Sequence, residues 1–244
     1  KIKSFVGDHP FPSKRNIEAT KKIIEIVKKA KKDDLIITIV SGGGSALFFY
    51  PYQLSVLNYQ KLTKKLFEVG ANIKEINTIR KHISYVKGGN LAKLAYPATM
   101  VSLIFSDIPF SDFSLVASGP TVLDKTTKKD AQNIIKKYNL PKIKLRETPK
   151  DKKYFKKVKN ILILDNNVAL KAMQEKSQEL GFKSFTYSSK IKGESKLVAK
   201  KLLEILSKQS KNTILLAGGE TTVKIKGKGK GGRNQELVLS ALKY

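Results

Sequence analysis

Continuously apolar runs alternate with amphipathic stretches along the 244-residue chain. Short apolar runs predict strands at residues 35–40, 100–105, 161–164 and 213–216. Unbroken apolar strands of this length are typical of parallel sheets that are covered on both faces. Because helical patterns lie between these runs, the sequence predicts an α/β fold with right-handed crossover connections.

Polar and glycine residues indicate where several helices begin and end. Ser13 and Thr126 are suited to open helices, since a hydroxyl oxygen can accept a free backbone N–H. Gly70 is suited to end a helix, because glycine readily adopts the left-handed conformation found there. Apolar residues at helical spacing predict two further helices at 168–180 and 194–207. A Lys- and Pro-rich stretch near residue 145 predicts a domain boundary.

Segment 73–87 is predicted to form one amphipathic helix, ended by Gly88-Gly89 and followed by a helix that Asn90 caps. Beside its apolar face runs a polar stripe at helical spacing, made of Asn77, Arg80, Ser84 and Lys87. The stripe is interpreted as an anion-binding surface or as a solvated helix flank. His82 is interpreted as a packed surface histidine or a ligand contact.

The charge of the chain comes mainly from lysine. There are 48 Lys and Arg against 20 Asp and Glu, a net charge of +28, and only Arg15, Arg80, Arg146 and Arg233 are arginines. Proteins that recognise nucleic acids use arginine, whose guanidinium donates two parallel hydrogen bonds to guanine or phosphate. Because arginine is scarce here, nucleic-acid binding is the weaker hypothesis. No cysteine is present, which excludes disulfides, thiolate metal sites and a Cys nucleophile. No apolar run approaches the ~20 residues of a membrane span, and we expect a cytoplasmic protein without a membrane partner.

The predicted strands all end in polar or glycine-rich sequence, where ligands bind in open α/β sheets. After the first strand comes the glycine-rich loop, defined as Ser41, Gly42, Gly43, Gly44 and Ser45. Its backbone N–H groups could converge on a phosphate or carboxylate, because glycine has no Cβ to block the approach. An ordinary tight turn is the alternative interpretation.

Asp107 ends the second predicted strand and is a candidate Mg²⁺ ligand or general base, with capping of the next turn as the alternative. Asp112 is a weaker candidate. Gly227, Gly229 and Gly232 match a dinucleotide-binding spacing. However, the preceding TTVKIK segment is interpreted as a half-exposed antiparallel strand, and the acidic residue expected ~20 positions later would lie beyond the end of the sequence. A flexible Gly-Lys loop over phosphates is the preferred interpretation.

Together these segments resemble the MOFRL-type, or class II, glycerate 2-kinases. The matching stretches are HPFP at 9–12, SGGGSAL at 41–47, GANIKEINTIRKHISYVKGGNLA at 70–92, SD at 106–107, ASGPT at 117–121, Asp124 with Thr127, and GGETTVKIKGKGKGGRNQE at 218–236 with the LVLSAL that follows. The resemblance implies ATP-dependent phosphorylation of D-glycerate at its 2-hydroxyl, with Mg²⁺. A hydroxypyruvate reductase, a name given to some relatives, is the alternative enzyme.

The resemblance also implies two α/β domains with the active site in the cleft between them. We place a Rossmann-like domain with a doubly wound, mostly parallel sheet at 1–145, and a smaller mixed-sheet domain at 146–244. The family's N-terminal Gly-Lys-Ala-type motif and C-terminal Thr-Asp-Gly-rich stretch are not found in the sequence, so we expect an inactive fragment of an active protein. Phe110-Ser111 replaces a family Gly-Asp, which leaves the role of Asp112 open.

Residue roles follow from the resemblance as hypotheses. Arg80 and Lys87, with Asn77, Ser84 and the glycine-rich loop, are expected to bind glycerate or the transferring phosphate. Arg233 is expected to stabilise charge on the phosphoryl group. Asp107 and Glu220 are the candidate metal ligands, and Glu236 a candidate orienting residue. ATP phosphates are assigned to Gly227, Gly229, Gly231, Gly232 and Asn234. The sequence leaves open whether the protein is a monomer or a homodimer.

Overall fold

The structure is a computed structural model that describes residues 2–106, 112–224 and 229–244. Its internal contacts divide the described chain into two compact units. The first contains residues 2–105 and 112–163, and the second contains Ser106 and everything described from Leu164 onwards. Segment 146–163, which the sequence analysis placed in the second domain, therefore groups with the first unit.

The first unit consists of a sheet with helices before and between its strands. Its elements are α1 (Lys14–Val27), β1 (Leu35–Val40), α2 (Gly44–Leu47), α3 (Val56–Glu68), α4 (Ile73–His82), α5 (Asn90–Ala95), β2 (Thr99–Phe105), α6 (Lys128–Lys137) and β3 (Val158–Leu164). The strand order is β1-β2-β3, and β1 runs parallel to β2 from the pair Leu35–Thr99 to the pair Val40–Ile104. The strands predicted at 35–40, 100–105 and 161–164 are confirmed, as is the α/β class.

β1 is not covered on both faces by the described residues, contrary to the expectation from its apolar sequence. Its residues alternate between exposed and half-buried, and Leu35, Ile37 and Ile39 are 58, 61 and 72% exposed. β2 alternates between half-buried and fully buried residues instead. The main core lies among the helices that follow β1, where Phe49, Leu66, Ile79 and Ile83 are almost completely buried.

Helix ends follow local hydrogen bonding more closely than the sequence pattern. Ser13 caps α1 as predicted, and Thr127 rather than Thr126 caps α6. Helix α4 stops at His82 instead of continuing to 87. The chain then turns back, and the Tyr52 N–H donates to the Ile83 carbonyl at 2.7 Å. Gly89, with φ +80°, precedes α5, so Asn90 is the first helical residue and not the cap.

The second unit contains a parallel pair of strands with helices packed around it. Its elements are α7 (Asn166–Glu179), β4 (Lys183–Ile191), α8 (Ser195–Leu206), β5 (Thr213–Gly219) and α9 (Arg233–Ala241). β5 and both predicted helices are confirmed. β4 was not predicted, because its sequence KSFTYSSKI mixes polar and apolar residues. The prediction of an antiparallel strand at TTVKIK was wrong for the described part of that segment. There Thr222 makes only an isolated parallel bridge to Glu194.

None of the described helices is long and apolar enough to cross a membrane.

Candidate active site

The glycine-rich loop leaves the carboxyl end of β1 and turns into the short helix α2. Gly43 has φ +78°, a left-handed conformation that is unfavourable for residues other than glycine. Gly44 packs against Ala117, and a Cβ added at Gly44 would lie 2.7 Å from the Ala117 Cβ. Gly44 is therefore required for the packing of the loop against the 117–119 turn.

The 117–119 turn, within the motif ASGPT, is a strained segment. Ala117, Ser118 and Gly119 have φ values of +49°, +61° and +60°. The Ser118 and Gly119 carbonyls accept the N–H groups of Gly88 and Gly89 at 3.0 and 2.8 Å. Left-handed non-glycine residues cost free energy and tend to occur at functional sites. Ser118 is thus a functional candidate that was missed from sequence.

A buried hydrogen-bond chain joins Asn77 to the glycine-rich loop. The Ser118 hydroxyl donates to Asn77 Oδ1 at 2.8 Å, and Ser118 Oγ lies 3.3 Å from Ser45 Oγ. Asn77 and Ser118 are both essentially inaccessible to solvent. The structure therefore brings together two predicted site residues, Asn77 and Ser45, that lie far apart in the sequence.

Lys87 is buried and is held by the backbone that follows the glycine-rich loop. Its Nζ donates to the Phe48 carbonyl oxygen at 2.9 Å. Burial, together with the positive charge of Arg80, holds the pKa of Lys87 well below its usual value. Ser84 Oγ accepts the N–H groups of Val86 and Lys87. Ser84 and Lys87 thus lie beyond the end of α4, so the predicted helical stripe was wrong, although both residues are near the predicted region.

Arg80, near the end of α4, carries an unused hydrogen-bond donor. Its Nε is buried and has no hydrogen-bond partner among the described residues. The guanidinium lies beside Tyr59, a residue whose pKa is raised by burial although the charge of Arg80 opposes that rise. A buried unpaired N–H is costly, and an anion could satisfy it.

His82 is packed in the interior, so its interpretation as a surface histidine was wrong. Its Nδ1 lies 2.8 Å from the Thr78 carbonyl oxygen and its Nε2 lies 3.3 Å from Glu147 Oε1. The neighbouring Lys81 forms a buried ion pair with Asp124, at 3.1 Å. These contacts hold the end of α4 against the segments that follow the 117–119 turn.

In the second unit, Arg233 begins α9 and pairs with Glu220 just after β5. The guanidinium Nη2 lies 2.6 Å from Glu220 Oε1, and both side chains are about half exposed. Gly232 precedes the helix in an extended conformation, and Glu236 pairs with Lys196 at 3.1 Å. Gly229, Gly231 and Asn234 lie in this same described segment. Gly227 lies outside the described residues.

The described residues do not by themselves fit a Mg²⁺ site. Asp107 lies outside them, the Glu220 carboxylate is engaged by Arg233, and Asp112 accepts the Ser114 N–H at 3.0 Å. Within the described parts of the chain, no group of three or more Asp, Glu, His or Cys residues could hold a metal ion. The Asp107 and Glu220 assignments therefore stay predictions.

A cavity of about 280 Å³ lies against the glycine-rich loop at the carboxyl end of β1. Its lining is mostly apolar, and its polar groups include Thr20, Thr38 and Ser41. Gly42, Gly44 and Pro120 are also among its lining residues. A concave site lies where α/β sheets commonly bind ligands.

Comparisons with known proteins agree on one family. Residues 1–148 match the family model described as Domain of unknown function (DUF4147), and residues 213–244 match the MOFRL family. The chain is 37% identical to the glycerate 2-kinase of Pyrococcus horikoshii over 99% of this chain and 60% of that protein. It is 35% identical to the D-glycerate 2-kinase of Thermotoga maritima over 97% of this chain and 60% of the relative.

Solved structures show the same likeness. A glycerate kinase crystal structure from Thermotoga maritima matches 96% of this chain and 59% of its own length, with a TM-score of 0.82 and 35% identity. A Pyrococcus horikoshii protein matches 100% of this chain and 61% of its own length, with a TM-score of 0.73 and 34% identity. The chain thus spans about 60% of the length of the relatives that it matches.

Proposed function

Since this chain belongs to the MOFRL-type glycerate 2-kinase family, we propose that the whole protein phosphorylates D-glycerate with ATP. The 2-hydroxyl oxygen forms a bond to the γ-phosphorus while the bond from that phosphorus to the β–γ bridging oxygen breaks, giving 2-phosphoglycerate and ADP. The observation that carries the proposal is the 35% identity to a D-glycerate 2-kinase over 97% of the chain. Phosphoryl transfer depends mainly on positioning and on neutralising charge, which suits a site built from backbone N–H groups and cations.

Arg80 and Lys87 are proposed to bind the glycerate carboxylate or the transferring phosphate. The buried, unpaired Nε of Arg80 supports this role because an anion would satisfy it. The burial of Lys87 supports it too, since a buried ammonium is favoured only when an anion is near. Asn77, Ser84 and the glycine-rich loop are proposed to position the substrate around these cations.

Arg233 is proposed to stabilise the charge that develops on the phosphoryl group, and Asp107 to take the proton of the 2-hydroxyl. Gly227, Gly229, Gly231, Gly232 and Asn234 are proposed to contact the ATP phosphates. No step is assigned to Mg²⁺, because the described residues do not provide its ligands. A cytoplasmic location is part of the proposal, and size-exclusion chromatography would decide between a monomer and a homodimer.

The test is product analysis on the full-length protein. ATP and D-glycerate should give ADP and 2-phosphoglycerate, which ³¹P NMR distinguishes from 3-phosphoglycerate. Arg233→Ala should lower kcat by about 10³-fold, the scale of a lost phosphoryl-stabilising arginine. Arg15→Ala, at an exposed position of α1, is the matched control and should retain full activity. If the protein oxidised NADH with hydroxypyruvate and formed no ADP from ATP and glycerate, the reductase hypothesis would replace the kinase hypothesis.

A further inference from the structure

A second cavity, of about 300 Å³, lies in the first unit and shares no lining residue with the cavity beside the glycine-rich loop. Three cations line it: Lys28 at the end of α1, Lys93 on α5, and Arg146. The rings of Tyr50 and Tyr85 form part of the wall. We call it the Tyr–Arg cavity. None of the roles proposed above for phosphoryl transfer uses these five residues.

Arg146 is the most unusual of the three cations, because its charge is only partly compensated. The guanidinium carbon lies 4.9 Å from the centre of the Tyr85 ring and 5.5 Å from that of Tyr52. Among the described residues, no carboxylate lies within ion-pair distance of it. Burial lowers the pKa of Arg146, and the two tyrosines only oppose that shift. Cation–π contacts are weaker than a hydrogen-bonded anion at a partly dry site.

The aromatic wall of the Tyr–Arg cavity is fixed by the backbone. The Tyr85 N–H donates to the Tyr50 carbonyl at 2.9 Å, and the two ring centres lie 4.9 Å apart. The bridge between Pro51 and Ser84 lies within the same pair of segments. Because these rings are held in place before any ligand arrives, little ordering entropy is lost when an apolar group packs on them.

The lysines add positive charge, although the Lys93 ammonium lies 5.5 Å from the centre of the ring of Tyr154, a residue outside the cavity lining. Lys28 and Lys93 form no ion pair with any carboxylate in the described parts of the chain, and no described acidic residue lines the cavity. Three cationic residues that line one concave surface, together with two tyrosines, fit a compact ligand with an apolar part and more than one negative charge. A planar guanidinium favours phosphate, to which it can donate two parallel hydrogen bonds.

We propose that the Tyr–Arg cavity binds a small organic phosphate. The phosphate is held by Arg146 with Lys28 and Lys93, and the apolar part of the ligand packs against Tyr50 and Tyr85. This site is separate from the proposed kinase reaction. Its occupancy does not require glycerate, ATP or turnover.

Calorimetric titration of the full-length protein with phenyl phosphate, at low ionic strength, tests the site. Phenyl phosphate should bind more tightly than inorganic phosphate and more tightly than phenol, because it offers both parts of the ligand. Lys28→Gln should raise the Kd roughly threefold, while Lys29→Gln, at the next exposed position outside the cavity, should leave it unchanged. Arg146→Met should raise the Kd about tenfold, and Arg146→Lys, which keeps the charge without the fork, by an intermediate factor.

Equal weakening in Lys28→Gln and Lys29→Gln would show that only the general positive charge attracts the probe, and would overturn the proposal. So would equal binding of phenol and phenyl phosphate, or displacement of the probe by D-glycerate. Measuring ADP formation on the same preparations separates the two hypotheses. If the protein binds phenyl phosphate but makes no ADP, the kinase proposal is refuted and the proposal for the Tyr–Arg cavity is retained.

Discussion

Lys81 Nζ lies 3.1 Å from Asp124 Oδ1, and the two side chains are only 6% and 1% exposed. Thr126 and Thr148 donate hydroxyl hydrogen bonds to the same carboxylate. Such a pair fastens α4, the helix that carries Arg80, to the segment after the 117–119 turn. Removing one partner would leave the other charge buried and uncompensated.

Asp124→Asn should lower the free energy of unfolding by about 3–5 kcal/mol, the usual cost of breaking a buried pair. Chemical denaturation measures the change. Glu179→Gln provides the matched control, since it breaks the exposed pair with Lys176, whose 2.8 Å separation is even shorter. That substitution should change stability by less than about 1 kcal/mol. Similar losses in both variants would contradict the importance of burial.

The same carboxylate predicts how stability responds to acid. Burial would raise the pKa of Asp124, but the Lys81 ammonium and the Thr126 hydrogen bonds outweigh it, so the pKa lies below its usual value. The unfolded chain therefore binds this proton more readily than the folded chain. The stabilisation is complete above the unfolded pKa of ~4 and is lost as the pH falls through the lower folded value. In Asp124→Asn this part of the acid dependence should be absent.

Lys87 predicts a pH dependence at the alkaline end. Its pKa is held well below 10.5 in the folded state, so at pH values between the folded pKa and 10.5 the unfolded chain binds this proton more readily than the folded chain. The free energy of unfolding of the wild type should therefore rise as the pH increases towards 10.5. Lys87→Met should remove this rise and abolish most of the glycerate-dependent activity. Lys29→Met, at an exposed helix position, should keep both.

Because Gly44 contacts Ala117, a substitution at Ala117 should restore stability that is lost by substituting Gly44. Gly44→Ala should cost about 1–3 kcal/mol of stability and weaken glycerate binding, because the new methyl group meets the Ala117 methyl at 2.7 Å. Ala117→Gly alone should be neutral or stabilising, since φ is +49° there. The double variant should recover most of the loss. Strictly additive effects would show that the two positions do not compete for space.

Substitution of Glu220 should affect kcat and the melting temperature differently. Glu220→Gln removes the 2.6 Å partner of Arg233, but the pair is half exposed, so the melting temperature should barely change. If Arg233 acts on the phosphoryl group, kcat should fall because the guanidinium loses its orientation. Glu204→Gln, which breaks an exposed pair with Lys200 on α8, should leave kcat unchanged. A parallel loss of kcat in both variants would argue against a role for Glu220.

Four of the five described strands are predictable from their own residues. The apolar runs predicted β1, β2, β3 and β5, because runs of four to six residues have the length of strands and are shorter than most helices. Prediction from sequence failed at β4, where serine and lysine interrupt the strand, and at the end of α4. Helical spacing continues past His82 in the sequence, but the tertiary bridge between Pro51 and Ser84 overrides it.

For the candidate site, the residue types were predictable and their contacts were not. The glycine-rich loop, Asn77 and Lys87 were predicted as site residues from a glycine cluster and from polar residues beside an apolar face, although Lys87 lies beyond the helix that was expected to carry it. The link from Asn77 through Ser118 to Ser45 joins positions that are 41 and 73 residues apart, and no local pattern encodes it. Positive φ at Ser118 likewise has no sequence signal, because serine rarely adopts it.

The outer edge of β1 has a consequence for how molecules of this chain interact at different salt concentrations. Among the described strands β1 lies at the end of the sheet, and Leu35, Ile37 and Ile39 leave one of its faces apolar and exposed. An apolar edge strand of this kind can pair with the same strand of another molecule. A net charge of +28 opposes such pairing by mutual repulsion. Salt at 1 M, where the screening length is ~3 Å, would weaken this repulsion.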